Sequence, residues 1–108
     1  MLSPELTVIC WRDIPAQVTA TDGERTARVQ LAERFQLAID AAAMKAGLVG
    51  SEQYLDEWRR DTRSCGEDLE GETAVEADRL EALHTPERVR ALIRSGGWRP
   101  PEDRQQPA

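Results

Sequence analysis

Between Ala16 and Leu31, small apolar and polar residues alternate about a central Asp22-Gly23, the pattern of a half-buried antiparallel hairpin. Asp-Gly favours a two-residue type I′ turn, which needs positive φ at both central positions. Centred there, the hairpin pairs Ala16 with Val29, Val18 with Ala27 and Ala20 with Arg25, a largely apolar face. Gln17, Thr19 and Thr21 then oppose Arg28, Thr26 and Glu24 on a wholly polar one. The preceding Leu6–Asp13 reads as a strand, with Leu6, Val8 and Cys10 on one side and Thr7, Ile9 and Trp11 on the other. Apolar residues on both sides mark it as central. Arg12-Asp13-Ile14-Pro15 is a tight connection in which Pro15 withholds a donor where the ladder breaks.

After the hairpin the period changes from strand to helix. Leu31, Phe35, Ile39 and Ala42 recur at helical spacing over Leu31–Ala46, and Leu37, Ala41 and Met44 widen the stripe. Gly47 suits the position after the last turn, and Lys45 the negative end of the dipole. Ser51 caps a second helix predicted over Glu52–Arg60, anchored by Tyr54, Leu55 and Trp58. Arg63–Asp68 is short, a fourth strand or a loop. Glu72–Leu83 reads as a helix with Ala77, Leu80 and Leu83 inward, and Thr85-Pro86-Glu87 opens a last one whose apolar residues are Val89, Leu92 and Ile93. The fold class is therefore α+β: a three- to four-stranded antiparallel sheet with one face covered by helices. It forms a single compact domain over residues 1–95, followed by a disordered tail over 96–108.

At 108 residues and a net charge of −6, the chain is long enough for one modest core and carries an acidic balance that repels phosphate backbones, which argues against a nucleic-acid partner. Thirteen of the 14 basic residues are arginine; they are dispersed and read as codon bias. No apolar run nears the ~20 residues that span a bilayer. The first residues lack the basic and apolar regions of a signal peptide, so a cytoplasmic protein is expected.

The chemistry-bearing residues are few. His84 is the single histidine, and neither Cys10 nor Cys65 sits in a recognisable metal or nucleophile motif. No metal site, cofactor or catalytic residue is assigned. A small metal or thiol-redox protein using both cysteines is an alternative, since a strand at Arg63–Asp68 would bring them together. The acids of Glu67–Glu81 read as a solvated helix face in preference to a docking face. Asp40 interrupts an apolar stretch; if buried it needs a cation, and Arg12 is the candidate for a buried ion pair. A weak enzyme built on that pair is a further alternative. Trp11 and Trp58 each sit where an apolar stretch turns charged. With Arg12, Asp13, Tyr54 and Arg59 they make the candidate partner-binding patch, because Trp, Tyr and Arg favour interface hot spots.

Thr7–Val18 with its Trp11-Arg12-Asp13-Ile14-Pro15 core, Glu33–Gln36, Ala38–Ala42, Tyr54–Arg60 and Cys65–Leu69 resemble the small bacterial virulence factor domain proteins, from about Leu6 to Arg94. The resemblance implies a bacterial, intracellular protein found alone or joined to helical-repeat proteins. It carries over no catalytic residue. It also implies proximity to folate and corrinoid methyl-transfer genes, which makes an accessory subunit of one-carbon metabolism an alternative. The expected function is a non-catalytic module that binds another protein.

Overall fold

A computed structural model describes residues 3–100. Four strands form one antiparallel sheet: β1 (Glu5–Trp11), β2 (Ile14–Asp22), β3 (Arg25–Gln30) and β4 (Trp58–Ser64), in the spatial order β3-β2-β1-β4. The helices are α1 (Glu33–Lys45), α2 (Glu52–Asp56), α3 (Leu69–Leu83) and α4 (Pro86–Arg94). The α+β reading holds, with the fourth strand present. Among the described residues, no helix is long and apolar enough to cross a membrane.

The β2–β3 hairpin keeps the expected faces but shifts register by two. Val18 pairs with Val29, Ala20 with Ala27 and Asp22 with Arg25, leaving Gly23-Glu24 as the loop. Gly23 alone has positive φ (63°), at the first loop position, as a type II′ turn requires. Arg25 closes the turn on Asp22 at 2.7 Å. A shift of two preserves which residues share a side, so Val18 and Ala20 are fully buried as expected.

β1 and β2 turn through Arg12-Asp13, again with positive φ at the first loop residue, here Arg12 at 52°. The ladder shifts between Ile9 and Cys10, which pair with Gln17 and Pro15, so Ala16 is the extra residue of a bulge. Pro15 sits beside it, where its missing donor costs no ladder bond. The carbonyl of Ala16 is taken by Leu31 N–H at 3.0 Å.

Two predicted elements need correction. Helix α2 stops at Asp56, and Trp58–Ser64 is the fourth strand, earlier than the Arg63–Asp68 considered for it. Ser51 does cap α2, its hydroxyl accepting from Tyr54 N–H. Helix α1 buries Phe35, Ala38, Ile39, Ala42 and Ala43. Leu37 and Met44, expected to widen that stripe, are 59% and 71% exposed. Leu83 of α3 likewise faces outward.

Helix α3 lies over β2 and β3, while α1 packs on β2 and α4. Leu6, Val18, Phe35, Ile39 and Leu92 join the core beneath them, and Trp11 and Ile14 close its end. The first residues of the expected tail are ordered. Residues 96–100 fold back as a strap on the Arg12–Asp13 turn: Asp13 N–H donates to Gly97 O at 2.8 Å and Arg99 N–H to Asp13 Oδ2 at 2.7 Å. The remainder of the expected tail lies outside the described residues.

Candidate interaction surface

The six residues expected to form a partner patch do come together, but half of them are interior. Trp11 is fully buried, and Arg12 and Asp13 are 9% exposed. The Trp11 indole N–H donates to Tyr54 O at 2.9 Å, and its ring lies 5.6 Å from that of Tyr54. The Trp58 ring meets Tyr54 edge-on at 6.3 Å. Arg12 lies between the rings of Trp11 and Trp98, at 5.0 and 4.9 Å. Asp13 accepts from Arg59 at 3.3 Å. This is a polar and aromatic knot tying β1, α2, β4 and the strap together. Its outer members, Tyr54, Trp58 and Arg59, reach the surface.

The expected Asp40–Arg12 pair is replaced by other partners. Asp40 is exposed and accepts from Gln36 at 3.0 Å, one turn back on α1. The Arg12 guanidinium donates to Gly96 O at 2.9 Å and faces Glu57 at 3.5 Å. A helix–sheet ion pair does not form because Asp40 projects from the outer side of α1.

That outer side carries apolar residues that sequence periodicity assigns to the covered stripe. Leu37, Asp40, Ala41 and Met44 are spaced i, i+3, i+4 and i+7, so they form one continuous stripe. Past the helix, Met44 and the 64% exposed Val49 border a shallow groove of about 260 Å³ with Asp40, Ala43, Gly50 and Tyr54. The covered side of α1 is apolar, and the outer side carries Leu37 and Met44 beside Asp40.

Residues 9–93, from β1 to the last turn of α4, match the family described as virulence factor. The chain belongs to that family. Neither a curated protein nor a solved structure matches it.

The two thiols of this virulence factor domain lie at opposite ends of the β1–β4 ladder. Cys10 pairs with Arg59, whereas Cys65 follows Ser64, the partner of Glu5. Six ladder positions separate them, roughly 20 Å, too far for a disulfide or a shared ion. Burial pushes the Cys10 thiol up to about 11, opposite to an activated thiolate. Cys65 is raised too, by desolvation and then by Glu72. Among the described residues, no three His, Cys, Asp or Glu side chains gather as metal ligands.

Several acids of 67–81 are structural within this virulence factor domain and are not freely solvated. Asp68 caps α3, Glu72 accepts from Gly66 N–H at 2.7 Å and Glu81 from Ala32 N–H at 3.2 Å. Glu76 is buried and accepts from Arg79 at 2.6 Å and Arg63 at 3.4 Å. The hydrogen bond from Arg79 leads in holding its carboxyl below the ordinary 4.5. His84 Nδ1–H donates to Leu80 O at 2.7 Å, and burial lowers its pKa from 6.5. The unfolded chain therefore protonates at His84 before the folded one does, so stability falls as pH drops below about 6.5. The Glu76 contribution is complete above its unfolded value of 4.5 and is lost as pH falls through the lower folded one. Thermal melts at stepped pH should show both losses, and His84→Gln should remove only the upper. Melting temperatures that stay flat between about pH 7 and pH 5 would contradict the burial of His84.

Proposed function

We propose that this domain is a non-catalytic protein-binding or accessory module, and that its contact surface is the outer stripe of α1 with the adjoining groove. The single observation behind this reading is the exposure of Leu37 and Met44 on the outer side of α1 and of Val49 just past it. A surface of that kind on a small soluble domain marks an interaction site, because leaving it in water forgoes about 25 cal/mol for each Å² not buried. The occupant that fits is an amphipathic helix of another protein, with an apolar side chain for the groove and a basic residue for Asp40. The charge of −6 on the chain favours the same basic partner. Tyr54, on the groove rim, connects this surface to the knot around Trp11.

Met44→Asp places a charge in the stripe at a position the core does not use. Helix content and melting temperature should stay close to the parent, whereas recovery of a basic amphipathic partner from the native host should fall at least about tenfold. Equal recovery by parent and variant would sink the assignment of this surface.

A further inference from the structure

Helix α3 lies over β2 and β3, which leaves a cleft beside it along β1 and β4 on that same side of the sheet. The cleft, of about 400 Å³, is floored by Leu6, Val8 and Cys10 and flanked by Leu80 and Leu83 of α3. Residues opposite one another across a ladder share a face, so Arg59, Asp61 and Arg63 of β4 stand on this side with Cys10, Val8 and Leu6. Arg79, Arg88 and Arg99 complete the basic rim. Among the described residues, Asp13, Asp61 and Glu76 are the acids there.

The way these arginines are held matters more than their number. Glu76, its side chain 6% exposed, receives both Arg63 and Arg79, which are 54% and 56% exposed. Asp13, at 5%, likewise receives Arg59 at 3.3 Å and Arg99 at 3.8 Å. One carboxylate cannot neutralise two guanidiniums, so the Glu76 group keeps a net positive charge, whereas Asp61, 3.2 Å from Arg59, balances the Asp13 group. A guanidinium has five N–H donors, and Arg79 spends its Nε and one Nη on Glu76. The buried acid fixes the cation in place, which removes part of the ordering cost of capturing an anion. Leu83 lies four residues beyond Arg79, hence beside it on the helix surface, and is 46% exposed. A fixed cation and an exposed aliphatic side chain thus stand side by side at the mouth of an apolar-floored cleft.

We propose that this cleft binds a small organic anion, a carboxylate or a phosphate ester. Its charged head sits on the Arg63–Arg79 pair, and its hydrocarbon body rests against Leu83 and Val8. Paired guanidiniums match the planar, bidentate geometry of such heads. The volume falls within the range of small-molecule sites.

Amide chemical-shift titrations test this with phenyl phosphate and phenylacetate as probes, and inorganic phosphate and benzyl alcohol as half-probes. Saturable shifts at residues 63 and 76–84 are expected with at least one aromatic anion, and the tighter of the two identifies the head group. Each half-probe should bind at least about tenfold more weakly. Arg79→Gln should raise the dissociation constant of that anion about tenfold, the worth of one hydrogen bond to a charged group. Glu76 keeps Arg63 in that variant, so the fold survives. Leu83→Ser should weaken the aromatic anion and leave inorganic phosphate unchanged, while Arg59→Gln should change little. Shifts that grow linearly without saturating, shifts centred elsewhere, or an unchanged constant in Arg79→Gln would each overturn the proposal.

Discussion

Trp11→Ala should cost about 3–5 kcal/mol, the largest loss of any single substitution in this domain. The indole is fully buried at the last position of β1, opposite both Ile14 and Trp58. Its surroundings have little freedom to collapse inward. The α2 backbone holds one edge through the bond from Nε1 to Tyr54 O at 2.9 Å. The strap holds another: a Cβ added at Gly97 would lie 3.0 Å from Trp11 Cζ3, so the backbone already rests on the ring. Removing the indole leaves a cavity walled by main chain and leaves Tyr54 O without its donor. Trp11→Phe refills most of the volume but not the hydrogen bond, so about 2 kcal/mol is expected for it. Urea unfolding followed by circular dichroism reads both variants. Against a total stability of about 5–15 kcal/mol, the alanine variant should be only marginally folded. A loss below about 1 kcal/mol would show that the indole does not hold this end of the sheet.

That result would also decide between the two roles the sequence leaves open for Trp11. A tryptophan at the junction of an apolar strand and a charged turn reads equally as an interface anchor or as core. The deciding partner is the backbone of Gly97, more than eighty positions away, which no local pattern announces. The same reason hides the strap. Gly96-Gly97 followed by Trp98, Arg99 and prolines has the composition of a tail, yet its order comes from carbonyls that accept from Arg12 and Asp13. Backbone acceptors leave no trace in side-chain identity. The bounds of β4 are hidden for a different reason. As an edge strand it carries Arg59, Arg60, Asp61 and Arg63, the charges that deter edge-to-edge pairing, and they mask strand alternation. Tyr54, Leu55 and Trp58 instead suggest a helix that runs on. The hairpin faces and the cap at Thr85 were legible because each depends on residues a few positions apart. The outer stripe of α1 was visible as apolar residues, but periodicity cannot say which side of a helix meets the sheet when both carry such residues. The arginine pair on Glu76 had no local signal on β4, because only the fold brings Arg63 to α3.

Arg12→Ala should lose about 3 kcal/mol, and Arg12→Gly less by about 1 kcal/mol, although glycine is ordinarily the poorer residue. The inversion follows from the turn. Both hairpins place positive φ at their first loop residue; the second uses Gly23, but the first uses Arg12 at 52°. For an L-residue this left-handed conformation costs roughly 1–2 kcal/mol, so the guanidinium must offset it. It does so by donating to Gly96 O at 2.9 Å, by facing Glu57 Oε2 at 3.5 Å, and by stacking between Trp11 and Trp98. Its Nε has no hydrogen-bond partner among the described residues, so Glu57 supplies charge at that atom and not a bond. Alanine removes all of these and keeps the strain, whereas glycine removes the same side chain and relieves it. Arg12→Lys retains the charge but not the planar surface for two indoles, so its loss should be the smallest of the three. Chemical denaturation of the three variants gives the order directly. The strap offers a second readout: without the guanidinium it loses its bond at Gly96 O, and protease cleavage after Trp98 should accelerate in Arg12→Ala. If Arg12→Gly proves no more stable than Arg12→Ala, the turn is not strained, and the arginine serves only to hold the strap.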